Sequence, residues 1–143
     1  MQHLLIQTLI VGLGGFVGAV LRFWIGLALA PKTAGEPDAI GEPAGIAWAT
    51  LGANAIGCLA IGVAIAYAHT RGGWPEWVRL GVIVGLLGSL TTFSAFAGET
   101  VTLVRDGRIG LAIGLVAGQL ISGIGLAAIG LVVGTKLFAT PTV

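Results

Sequence analysis

Residues 85–100 read Gly-Leu-Leu-Gly-Ser-Leu-Thr-Thr-Phe-Ser-Ala-Phe-Ala-Gly-Glu-Thr, a run of hydroxyls, two phenylalanines and a carboxylate. The flanks, Leu80–Leu87 and Val101–Val104, are apolar. Polarity of this density inside an apolar segment marks a place where something is solvated, because polar groups at membrane depth are costly and concentrate at functional sites. The chain's activity is therefore expected here.

The rest of the chain identifies the solvent as lipid. Hydrophobic residues make up 56% and charged residues only 9%, and the mean hydropathy is +1.01. A soluble domain carries about 25% charged residues, so this chain cannot clothe a water-facing surface. Its 143 residues accommodate about four helices of ~20 apolar residues each. The expected architecture is an all-α membrane protein, one domain over residues 1–143, with helices at about 4–30, 46–68, 77–104 and 109–137, the third of them broken. The segment 31–45 carries Pro31, Pro37 and Pro43 with Glu36, Asp38 and Glu42 and is expected as a solvent loop. Trp74 and Trp77 are placed as interfacial anchors.

A net charge of +1 supplies no basic patch for nucleic acid. Cys58 is the single cysteine, which excludes an intrachain disulfide and reads as a small hydrophobe. No Lys or Arg precedes the first apolar run, so it does not resemble a cleavable signal peptide. No nucleophile–base pair or metal-ligand cluster is visible, and an enzyme is not expected.

The 25 glycines have neither the collagen period nor the polar company of a linker. Several fall at small-xxx-small spacing, as Gly14–Gly18, Gly81–Gly85, Gly110–Gly114–Gly118 and Gly130–Gly134 do, which lets helix backbones approach in a membrane. Cations in the loops balance: Arg71, Arg79 and Lys136 on one side, Lys32, Arg105 and Arg108 on the other. Orientation follows this bias, so a balanced chain is compatible with insertion both ways up and hence with an antiparallel homodimer.

With residues 92–100 treated as helical, at about 100° per residue, Thr92, Phe96 and Glu99 lie near one line, with Phe93 and Thr100 beside it. Ser94 points elsewhere. Upstream, Gly85, Gly88, Ser89, Thr91 and Thr92 mark a poor helix and a break whose freed carbonyls could coordinate a cation; non-helical backbone at this depth must be buried or line a cavity. Back-bonding of Ser and Thr within an intact helix is the plainer alternative. In the second helix Asn54 is the only amide, with Thr50 one turn earlier and Gly57 and Cys58 one turn later. Its role is either interhelical glue or donation to a passing anion. Arg22 is the single cation within a spanning stretch, which either snorkels to the interface or sets a positive field over an aqueous vestibule. Gln119 is a lone amide that either glues helices or lines a polar route.

Three motifs, Gly15-x-x-Gly18-Ala19-x-x-Arg22-Phe23, Asn54-x-x-Gly57-Cys58 with Gly62, and Gly88-Ser89-Leu90-Thr91-Thr92-Phe93-Ser94-Ala95-Phe96, together resemble the Fluc/CrcB family of small fluoride channels. The resemblance covers the first three helices; the fourth matches only in its glycine-rich character. It implies a multi-pass cell-membrane protein and an antiparallel, dual-topology homodimer that passively exports F−. It further implies a central structural Na+ held by the carbonyls of Gly88 and Thr91. The family's two phenylalanines map to Phe93 and Phe96, its pore asparagine to Asn54 and its vestibule arginine to Arg22. Thr92, Ser94, Thr50 and Glu99 complete the expected fluoride pathway. Two departures are Ala95, where the family often has a hydroxyl residue, and the lack of a tyrosine in the fourth helix, since the one tyrosine is Tyr67.

Fluoride is small and strongly hydrated, so its pore must replace water with donors. Amide and hydroxyl hydrogens serve, and the partly positive edge of a phenylalanine faces an anion without holding it tightly. A rival reading is a small dual-topology proton-coupled multidrug or cation antiporter. That chemistry needs a membrane carboxylate; the first helix has none, and Glu99 is the one candidate. A glycine-packed assembly subunit would leave Asn54 and the hydroxyl stripe without a role.

Overall fold

The computed structural model describes residues 1–29 and 48–139; the expected loop at 31–45, and with it Lys32, lies outside them. Within those bounds the protein is helical, with α1 at Gln2–Leu29, α2 at Trp48–Arg71, α3 over residues 76–90, α4 at Phe93–Arg105 and α5 at Ile109–Phe138. Four spans are long and apolar enough to cross a membrane: α1, α2, the α3–α4 pair taken together as Glu76–Arg105, and α5.

The chain reversals follow from local chemistry. After α2, Gly72 has φ +74° and Gly73 has φ +108°, and the Gly73 N–H returns to the Ala68 carbonyl at 2.8 Å. After α4, Gly107 has φ +72°, with Arg108 N–H bonded to the Leu103 carbonyl at 2.8 Å and Gly107 N–H to that of Val104 at 3.0 Å. Both are helix ends closed by a glycine in the left-handed region, which satisfies carbonyls the helix would otherwise leave bare. The ring of Trp74 stacks on Tyr67 at 4.1 Å while its Nε1–H donates to the Ala64 carbonyl. This pins the α2–α3 turn to the end of the bundle, where Phe138 meets Tyr67 edge-on.

Lipid tails are as apolar as leucine, so burial of apolar surface gives helices no reason to associate and close packing must do so. Two glycine seams provide it. A Cβ on Gly14 of α1 would collide with the Gly81 carbonyl of α3, and one on Gly62 of α2 with the Ala127 carbonyl of α5. The seams pair α1 with α3 and α2 with α5. By contrast Gly110, Gly114 and Gly118 have nothing within 4 Å of an added Cβ, so that run of small residues packs against no described part of the chain.

The third span departs most from a regular helix. It is α-helical over Glu76–Val78, π-helical over Arg79–Leu87 and α-helical again over Gly88–Leu90. Thr91 (φ −87°, ψ 152°) and Thr92 (φ −149°, ψ 122°) are then extended before α4 begins. The expected break is therefore real and confined to two residues; Gly85 and Gly88, read as part of it, are helical. Thr92 is correspondingly not the first residue of a helical stripe but the residue that caps the next helix.

Candidate functional site

The break is held open from outside by α2. In an unbroken helix the Thr92 N–H would bond the Gly88 carbonyl four residues back. Here it donates to Oδ1 of Asn54 at 2.8 Å, and Asn54 Nδ2 donates to the Thr92 carbonyl at 3.2 Å. One carboxamide thus pairs with both polar groups of a single extended residue, as a neighbouring β-strand would. The next helix starts without that carbonyl ladder. Thr92 Oγ1 accepts the Ala95 N–H at 3.3 Å, an N-cap that satisfies one of the orphan donors of a first turn. An unbroken helix would have used that N–H on the Thr91 carbonyl.

The carbonyls of residues 88–91 therefore lose their helical donors, those of Gly88 and Thr91 among them. Both residues line a cleft of about 270 Å³ together with Asn54, Gly57, Cys58, Ile61, Ile83 and Leu87. Thr91 Oγ1 turns back to the Leu87 carbonyl at 2.9 Å, leaving the main-chain oxygen as that residue's distinctive polar group. Hard carbonyl oxygens suit a Group 1 or Group 2 cation and not a soft one. The residues present therefore fit a Na+ held by main-chain carbonyls. Among the described residues no cluster of His, Cys, Asp or Glu offers a side-chain alternative.

On the far side of Asn54 the polar groups continue. Asn54 Nδ2 lies 3.5 Å from Gln119 Oε1 on α5. One turn before Asn54, buried Thr50 donates from Oγ1 to a carboxylate oxygen of Glu99 on α4 at 2.5 Å. Ser94 meets Thr92 hydroxyl to hydroxyl at 3.1 Å. The structure thus gathers Thr50, Asn54, Thr92, Glu99 and Gln119 from three spans into one polar core, with exposed Ser94 at its edge. Asn54, expected either as glue or as an anion donor, has both amide hydrogens directed at acceptors of this chain.

Phe93 and Phe96 sit at the start of α4 with ring centroids 5.6 Å apart and planes at 61°. Their surroundings differ. Phe96 packs against the cluster of Leu103, Ala112 and Leu115, whereas Phe93 is 78% exposed. Phe93 projects from the start of α4 and, apart from its contact with Phe96, is largely uncovered among the described residues. Arg22 stands apart from the polar core, half-buried on α1, and among the described residues it makes no hydrogen bond or ion pair.

Gln119 is the member of the core that the sequence analysis did not place in the expected pathway. Its signal was present, an amide isolated in an apolar helix of glycines and aliphatics, but nothing in its own helix names Asn54 as its neighbour.

The sequence matches the CrcB-like protein family (Camphor Resistance, CrcB) over residues 9–131. A fluoride-specific ion channel of Pseudomonas paraeruginosa is 44% identical over 112 residues, covering 78% of this chain and 80% of that protein. One from Bordetella bronchiseptica is 36% identical over 126 residues, covering 88% of this chain and 89% of the relative. A third, from Paracoccus denitrificans, is 36% identical over 139 residues, covering 97% and 100%.

Proposed function

This chain belongs to the CrcB-like family, and from that premise we propose that it is a fluoride-selective ion channel of the cell membrane. It passes F− down its gradient and so lowers cytoplasmic fluoride; it is not an enzyme. The observation that carries the reading beyond similarity is the broken third span. Two extended threonines, one of them clamped by Asn54, precede two phenylalanines within a span apolar enough to cross a membrane, which neither a packing helix nor a soluble-substrate site requires.

In this reading the pathway runs along Thr92, Ser94, Phe93 and Phe96, with Thr50 and Glu99 closing its wall and Asn54 holding the break. Hydroxyl donors and the positive edges of the rings offer several weak sites, which suits conduction because an ion must leave as readily as it enters. Arg22, without a hydrogen bond or ion pair among the described residues, supplies positive potential over the vestibule and draws anions toward the pore.

The functional unit is an antiparallel, dual-topology homodimer. The balanced loop cations support it, and so does the exposed Phe93. The carbonyls of Gly88 and Thr91 would hold a structural Na+ between protomers. When bound there, the ion supplies fixed positive charge at the dimer centre and ties the two broken helices together.

The test is anion release from liposomes containing the purified protein. F− should leave rapidly, Cl− almost not at all, and without any imposed proton gradient. Strict dependence on a proton gradient would favour the antiporter reading built on Glu99, and equal Cl− flux would sink fluoride selectivity.

A further inference from the structure

The clamp on the break has a consequence on the opposite side of Asn54. Thr92 presents an N–H and a carbonyl in fixed positions, so Asn54 must meet the first with Oδ1 and the second with Nδ2. That orientation directs the remaining Nδ2 hydrogen toward α5, where Gln119 meets it with Oε1 at 3.5 Å. The reverse orientation of Gln119 would set donor against donor. Each amide in the series Thr92, Asn54, Gln119 is thereby oriented by the one before it, and hydrogen bonds in such a chain polarise one another.

The series ends in a donor. Gln119 is only 9% exposed, and its Nε2 is buried with no hydrogen-bond partner among the described residues. A buried donor left without an acceptor is unfavourable, and such groups in native proteins are rare and call for a specific explanation. An acceptor from outside the described residues resolves it. The acceptor must be small enough to enter a packed helix interface, and an anion is favoured over a neutral group because the polarised amide series ends in positive hydrogens.

We propose that Gln119 is an anion-binding residue of this channel: its Nε2–H2 group, aimed by the Thr92–Asn54 clamp, donates to the permeating fluoride. Asn54 is then the positioning residue and Gln119 the residue that touches the ion. The inference rests on the fluoride-channel reading above and goes beyond it in assigning the fourth span its ion contact.

Two measurements test it on the intact protein. The chain has three glutamines, Gln2, Gln7 and Gln119, so [15N]glutamine labelling yields a simple side-chain amide spectrum in which Gln119 is assigned by substitution. Titration with NaF should shift the Gln119 side-chain signals, and NaCl at equal concentration should not. In liposomes Gln119→Leu, which deletes the donor, and Gln119→Glu, which replaces it with an acceptor, should each lower F− flux about tenfold, a barrier change of about 1.4 kcal/mol. Full-rate flux in Gln119→Leu overturns the proposal. So does a Gln119 signal indifferent to NaF, or equally moved by NaCl, even if the variants conduct poorly, since their defect is then one of packing. If a variant fails to fold, the titration of the unsubstituted protein decides. Failure of that protein to release F− would count against the channel reading, whereas the titration reports on Gln119 whether or not flux is seen.

Discussion

Asn54 and Thr92 are joined by two hydrogen bonds, Thr92 N–H to Asn54 Oδ1 at 2.8 Å and Asn54 Nδ2 to the Thr92 carbonyl at 3.2 Å. The pair substitutes a side chain for the helix's own ladder at one residue. It explains how a span can interrupt its backbone pairing in lipid, where each unsatisfied group is costly.

Asn54→Leu strands both groups. Each buried group left unpaired costs about 1–3 kcal/mol, so the variant should unfold at lower temperature in detergent, and the Thr92 amide should exchange with solvent much faster. An unchanged exchange rate at Thr92 would mean that the clamp does not hold the break.

Phe93 and Phe96 should separate under substitution. Phe93→Ile removes an exposed ring and should leave protomer stability alone while slowing F− flux about tenfold, which is about 1.4 kcal/mol in barrier height. Phe96→Ile also disturbs the Leu103–Ala112–Leu115 cluster and should lower both flux and thermal stability. Unaltered flux in both variants would remove the rings from the pathway.

The glycine seams are steric, so substitution should discriminate between them and the open glycines. Gly62→Val drives side-chain atoms into the Ala127 carbonyl, and overpacking of this kind costs about 1–3 kcal/mol or more because backbone cannot step aside. Gly114→Ala meets nothing within 4 Å and should leave the fold of the protomer unaffected. Thermal unfolding followed by tryptophan fluorescence checks both, and equal stability of the two variants would argue against the α2–α5 seam.

The carbonyls of Gly88 and Thr91 can be probed through the ion. Exchange of Na+ for N-methylglucamine throughout purification should reduce F− flux, with recovery when Na+ returns. Flux indifferent to exhaustive exchange would leave those carbonyls without a cation to hold.

Much of this was legible in the chain because membrane chemistry is severe. Hydrocarbon tolerates few polar groups, so Asn54, Glu99, Gln119 and the hydroxyls at 89–94 stand out against their neighbours with no need of structure. The break, too, could be placed near Gly88–Thr92, since glycine and back-bonding hydroxyls weaken a helix. Its length was less accessible: Gly85 and Gly88 remain helical because α1 packs against that stretch, and the two threonines open because Asn54 captures one of them. Glu99 likewise reads as a lone acid in sequence and stands beside Thr50 only in the fold.

The amino-acid sequence alone determined the solvent, the number of spans and the family, because each rests on composition or on short motifs of local spacing. The tertiary structure decided which polar groups face one another. Asn54 lies 38 residues from Thr92 and Gln119 lies 65 from Asn54, and helical periodicity places a residue on a face without naming the face opposite. That pairing of faces is set by backbone contact at Gly14 and Gly62, through steric fit between helices distant in the chain. The same fit turns residues 85–100 from a polar anomaly into an opened helix.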